Sequence, residues 1–99
     1  MENSNDVIRK LRSVGINTFI KYYEEFEKEL DRKELLEIFG QNSEKWKDSA
    51  ANTKASTGKW FFRTGNNVKA LEYIVYEANV NAIGIETQAK AEAILDAIK

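Results

Sequence analysis

Not one of the 99 residues is proline, so no segment carries a forced break in its backbone hydrogen-bond ladder and every stretch is free to be helical. Punctuation falls to five glycines and a scatter of Asn, Asp and Ser. Between those marks the apolar residues recur at helical spacing. The chain is therefore expected to be all-α, a compact single-domain bundle of about six helices spanning residues 1–99. A chain of this length buries roughly 60–70% of its unfolded surface, enough to fold without cross-links.

Ser4 or Asn5 is placed to cap a first helix over 6–14, with Val7, Ile8 and Leu11 on one face and Gly15 closing it. Asn17 then caps a helix over 18–30, in which Phe19, Tyr23, Phe26 and Leu30 form one face and Glu24, Glu25, Glu27 and Glu29 the other. Asp31 and Glu34 have capping-box spacing. A short buried connector to Phe39, ended by Gly40, follows from its apolar Leu35, Leu36, Ile38 and Phe39.

The most informative stretch is a long helix near 44–64, opened by Ser43. Its middle, 49–58, is rich in small residues of poor helix propensity, and Gly58 is the point where it is weakest. On a helical wheel Trp46, Ala50, Thr53, Thr57, Trp60 and Phe61 share a core side, whose small members would let a neighbouring helix approach closely. Lys45, Asn52, Ser56, Lys59 and Arg63 share the opposite, polar side. A turn at Gly65-Asn66-Asn67 leads into a helix to about Ala78, with Val68, Leu71, Ile74, Val75 and Ala78 inward and Lys69, Tyr73 and Tyr76 on a second stripe. Residues 79–84 read as a loop, and a last helix over 86–98 buries Ala91, Ile94, Leu95 and Ile98.

Cys and His are both absent, which excludes Cys/His zinc sites, thiol nucleophiles, Ser-His catalysis and an imidazole proton shuttle. Gly58-Lys59 lacks the Walker spacing, since Thr53 stands where its first glycine belongs and Trp60 where Ser or Thr must follow the lysine. Glu25 and Glu29 share a helix turn, but no metal-loop motif accompanies them and they read as a solvated outer face. No catalytic residue, metal or cofactor is assigned.

Net charge is −1, yet it is unevenly distributed: +2 over 1–23, −5 over 24–44, +5 over 45–69 and −3 over 70–99. The basic segment supplies the leading functional assignment. Lys45, Asn52, Lys59, Arg63, Asn66 and Lys69 are candidate contacts to a nucleic acid, in a small non-enzymatic DNA-binding or regulatory protein. Helix, Gly-containing turn and helix also give a helix-turn-helix-like outline, although the second helix carries Glu72 and Glu77 against Lys69 and would enter a groove without net positive charge. The alternative is a protein-interaction module or homodimer, using the acidic 18–30 helix or the Tyr73/Tyr76 face. A third possibility for the basic stripe is purely structural: it offsets the acidic helix at 18–30.

No small-molecule substrate is implied. The polar, acidic start lacks a signal-peptide pattern, and the longest apolar run, Tyr73-Ile74-Val75-Tyr76, is far too short for a membrane span. A cytoplasmic location is expected, and the Asn-, Lys- and Ile-rich usage suggests a bacterial or phage source.

Overall fold

The computed structural model describes residues 4–98, with side chains from 6 onward. The cap assigned to Ser4 or Asn5 lies outside the described side chains. In chain order the helices are α1 (Ser4–Val14), α2 (Ile16–Lys21), α3 (Tyr23–Glu27), α4 (Arg32–Gln41), α5 (Asp48–Arg63), α6 (Asn67–Tyr76), α7 (Val80–Ile83) and α8 (Ile85–Ile98). No strand occurs among the described residues. The Cα radius of gyration, 12.8 Å, matches the roughly 13 Å of a folded single domain this long.

Among the described residues eight helices replace the expected six, for two reasons. The 18–30 helix begins at Ile16, with Gly15 and not Asn17 at its N-terminal cap, and kinks at Tyr22 (φ −109°, ψ 23°), separating α2 from α3. The i to i−4 bonds survive on both sides, from Tyr22 N to Thr18 O and from Phe26 N to Tyr22 O, each 3.0 Å. With no proline to force it, the kink is explained by burial: Tyr22 turns toward Phe39, ring centroids 4.8 Å apart, while Tyr23 turns toward Phe62 at 4.9 Å. A straight helix would aim two successive side chains about 100° apart and bury them less readily on two different walls. The second reason is local. Within 79–84, Asn79 Oδ1 accepts from Asn81 N at 2.9 Å and starts the single turn of α7.

α5 is the hub, packing against α1, α3, α4 and α6. It starts at Asp48, not at 44, because α4 runs past Gly40 and ends in a Schellman turn: Glu44 N bonds Phe39 O (3.0 Å), Ser43 N bonds Gly40 O (3.0 Å), and Ser43 takes the left-handed conformation (φ 64°). At its other end the same motif recurs, with Asn66 N bonding Phe61 O at 2.8 Å and Gly65 at φ 73°, where glycine avoids the Cβ clash. α5 is continuous through Gly58.

Its inward face is rotated from the expected one. Thr57 and Phe61 are buried as the wheel predicts, but Thr53 is exposed, Ala50 and Trp60 are half-buried, and Trp46 precedes the helix. Ala51, Ala55 and Gly58 take the inside. The reason is the Phe26 ring, which lies so close to Gly58 that an added Cβ would meet its Cε1 at 2.5 Å. Around it, Phe19 meets Phe61 at 4.8 Å and Phe39 meets Trp46 at 5.1 Å. Such pairs each contribute about 0.5–1.5 kcal/mol beyond the area they bury.

α6 and α8 pack as a pair, α8 also lies against α2, and Gln88 Nε2 donates to Val75 O at 3.3 Å. Val68 and Ile98, expected inside, are 38% and 46% exposed, and the buried set there is Ala70, Leu71, Ile74, Ala91 and Leu95. No helix among the described residues is long and apolar enough to cross a membrane.

Candidate functional site

The six polar residues nominated along 45–69 separate into those engaged within the fold and those left outward. Asn52 accepts from Arg32 Nη1 at 2.9 Å. Arg63 Nε donates to Glu29 Oε1 at 3.2 Å. Both partners flank the α3–α4 turn. Lys59, between them on the same side of α5, is only 9% exposed, a correction to the expected open stripe. No buried nitrogen is left without a partner among the described side chains, so the Lys59 ammonium reaches solvent over a covered aliphatic stem. Asn66 is also buried, 4% exposed, and its Nδ2 donates to Thr64 Oγ1 at 2.8 Å. Lys45 and Lys69 remain exposed and outside the ion pairs formed among the described residues.

Thus the turn between α3 and α4 lies along the stripe that looked free. Its cap is the one the capping-box spacing predicts: Asp31 Oδ1 accepts from Glu34 N at 2.9 Å. Capping fixes where α4 begins and so sets Arg32 opposite Asn52.

α6 presents the remaining candidates. Asn67 Nδ2 donates to Tyr23 OH at 3.0 Å, tying the first turn of α6 to α3. Burial raises the Tyr23 phenol above its ordinary range, with the Asn67 bond acting the other way and the Glu27 charge adding to the rise. Tyr73 is half-buried and lines, with Lys69, Glu77 and α1 residues Val7 and Ile8, a depression of about 40 Å³. Tyr76 is 66% exposed, by far the most open aromatic side chain. The outward face of α6 therefore carries Val68, Lys69, Glu72 and Tyr76.

Two polar features escaped the sequence reading. Lys54 Nζ donates to Val14 O, the last carbonyl of α1, at 2.8 Å and sits 4.8 Å over the Trp46 ring. The available signal was its position one turn before Thr57 and two before Phe61, a lysine on the side of the helix that carries them. The other feature is Glu44, whose Oε2 accepts from Lys21 Nζ at 2.8 Å and from Tyr22 OH at 2.6 Å. Burial alone would raise the Glu44 carboxyl. The bonds from Lys21 and Tyr22 and the charges of Lys21 and Lys54 outweigh it and hold the group below the usual carboxylate range. The same burial, with the Glu44 hydrogen bond and charge, pushes the Tyr22 phenol well above its ordinary value. This cluster fastens 42–47 to α2. Nothing but its acidity distinguished Glu44 in the sequence.

No family model matches the chain, and neither the curated proteins nor the solved structures contain a match to it.

Proposed function

We propose that this chain is a small non-enzymatic interaction module that meets a protein partner through the outward face of α6. The observation that carries this reading is Tyr76, two-thirds exposed on a helix whose neighbouring Tyr73 borders a depression against α1. Tyrosine is enriched at protein interfaces because its ring gives area and its hydroxyl gives direction. Lys69 beside Glu72 and Glu77 makes the face mixed in sign, which suits a protein surface better than a phosphate backbone.

The test is a photo-crosslinker placed at position 76, identification of the captured protein, and reconstitution with that protein purified. Tyr76→Ala is expected to weaken the reconstituted complex about tenfold, the equivalent of 1.4 kcal/mol, while circular dichroism stays unchanged. An affinity equal to wild type in Tyr76→Ala would refute the assignment.

Lys45 and Lys69, exposed and outside the ion pairs, support a second reading in which the chain contacts nucleic-acid phosphates. It requires binding to a mixed-sequence duplex or single strand that weakens steeply with salt and is lost in Lys45→Glu with Lys69→Glu. Charge reversal at Lys59 is not a clean probe of it, since that side chain is largely covered.

A further inference from the structure

A trough runs along α2 where it faces α7 and the start of α8. One half, about 320 Å³, lies between the α1–α2 junction and α7; the other, about 290 Å³, lies between α2 and the first turns of α8. Asn17 lines both, so the two halves adjoin at that residue. Ile16, Ile20 and Ile83 give it an apolar floor. Ile85, the most exposed large apolar side chain among the described residues at 75%, lies between the residues of the two halves in sequence. Three bases, Arg12, Lys21 and Lys90, and one acid, Glu86, line it. Lys21 is already held by Glu44, but Arg12 and Lys90 are outside the ion pairs formed among the described residues.

We propose that this trough docks a short amphipathic helix of a protein partner, with apolar side chains on the isoleucine floor and carboxylates turned to Arg12 and Lys90. The proposal rests on the protein-partner reading but uses a surface separate from Tyr76. Spacing supports a helical occupant. Ile16 and Ile20 are one turn apart along α2, Glu86 and Lys90 one turn apart along α8, and a docked helix offers anchors at the same i, i+4 interval. Charge complementarity selects an acidic one. A nucleic acid fits less well, because no aromatic residue lines either half for a base to stack on, and a floor of isoleucines gains nothing from sugar and phosphate.

The experiment uses the full chain and a fluorescein-labelled synthetic helix with leucines at i and i+4 and glutamates flanking them. A second peptide has lysines in place of the glutamates, and a third probe is a labelled oligonucleotide. Amide shift mapping accompanies the anisotropy titrations. The acidic peptide is expected to bind, to move the amides of Ile16, Asn17, Ile20, Ile83 and Thr87, and to bind at least tenfold more weakly to Arg12→Glu/Lys90→Glu. Both substituted side chains are exposed, so the variant keeps its fold. Absence of binding, equal binding of the lysine peptide, or oligonucleotide occupancy of the trough overturns the proposal. Shifts confined to α6 overturn it too, yet leave the Tyr76 reading standing. A loss of partner in Tyr76→Ala with wild-type trough binding separates the two in the other direction.

Discussion

Gly58→Ala tests the packing argument most directly, because two effects of known sign oppose each other at one atom. Alanine is favoured over glycine inside a helix by about 1 kcal/mol, so propensity alone predicts a more stable protein. The new methyl, however, would meet Phe26 Cε1 and Cζ at 2.5 Å and Cδ1 at 2.6 Å, whereas ordinary contact begins at 3.4 Å. The ring must retreat by about 0.9 Å. It has no slack, being fully buried with Tyr22 at 6.5 Å and Phe39 and Phe19 each at 6.4 Å between ring centroids. Overpacking of this kind costs about 1–3 kcal/mol and sometimes more, and three overlapping ring atoms place it at the upper end. The net expectation is a destabilisation of about 2 kcal/mol, or a Tm lower by roughly 8–16 °C for a domain of this size. Urea unfolding followed by far-ultraviolet circular dichroism measures it. In a Phe26→Leu background, where the side chain ends in a flexible branch that turns aside, the same Gly58→Ala change is expected to be neutral or stabilising, so the double-mutant cycle gives a coupling of about 2 kcal/mol. A Gly58→Ala protein as stable as wild type, or a cycle with no coupling, would show that the close approach of α3 to α5 is not what the structure says it is.

Glu44→Gln is expected to lose about 1.5–3 kcal/mol at neutral pH, the usual worth of hydrogen bonds to a charged group. Its folded carboxyl lies below the ordinary value, so the stabilisation is fully present above the unfolded value of about 4.3 and disappears as pH falls through the lower folded one. Wild-type and variant stabilities must therefore converge in acid, and a constant gap down to low pH would contradict the assignment. Lys54→Met keeps most of the volume but removes the donor to Val14 O and the cation over Trp46; a loss of about 1–2 kcal/mol with altered tryptophan emission is expected in denaturant titrations. Lys59→Met, by contrast, should stay within about 0.5 kcal/mol of wild type, since its stem is covered and its ammonium solvated. A large loss there would reveal a buried partner.

The helical class, the cap of α4 and the turn after α5 were legible because they depend on near neighbours. Asp31 caps α4 through Glu34 N three residues on, and Gly65 takes the left-handed turn that ends α5. The kink at Tyr22 was not legible, since Phe19, Tyr23 and Phe26 keep the same spacing whether or not the helix bends. The candidate polar stripe was legible as a set of positions on one side of a helix, but not as a surface. Arg32 reaches Asn52 across 20 residues of chain, Glu29 reaches Arg63 across 34, and Val14 O reaches Lys54 across 40. No periodicity encodes such pairs.

By itself, then, the sequence determined that this protein is built of helices: no proline interrupts the ladder, apolar residues return every three or four positions, and a few Gly, Asn and Asp mark the ends. Only the tertiary structure decided the phase of α5, because a helix rich in Ala, Ser, Thr and Gly has too weak an apolar contrast to choose its own inward face. Phe26 chose it, by needing the one position without a Cβ, and that choice carried Lys59 under cover.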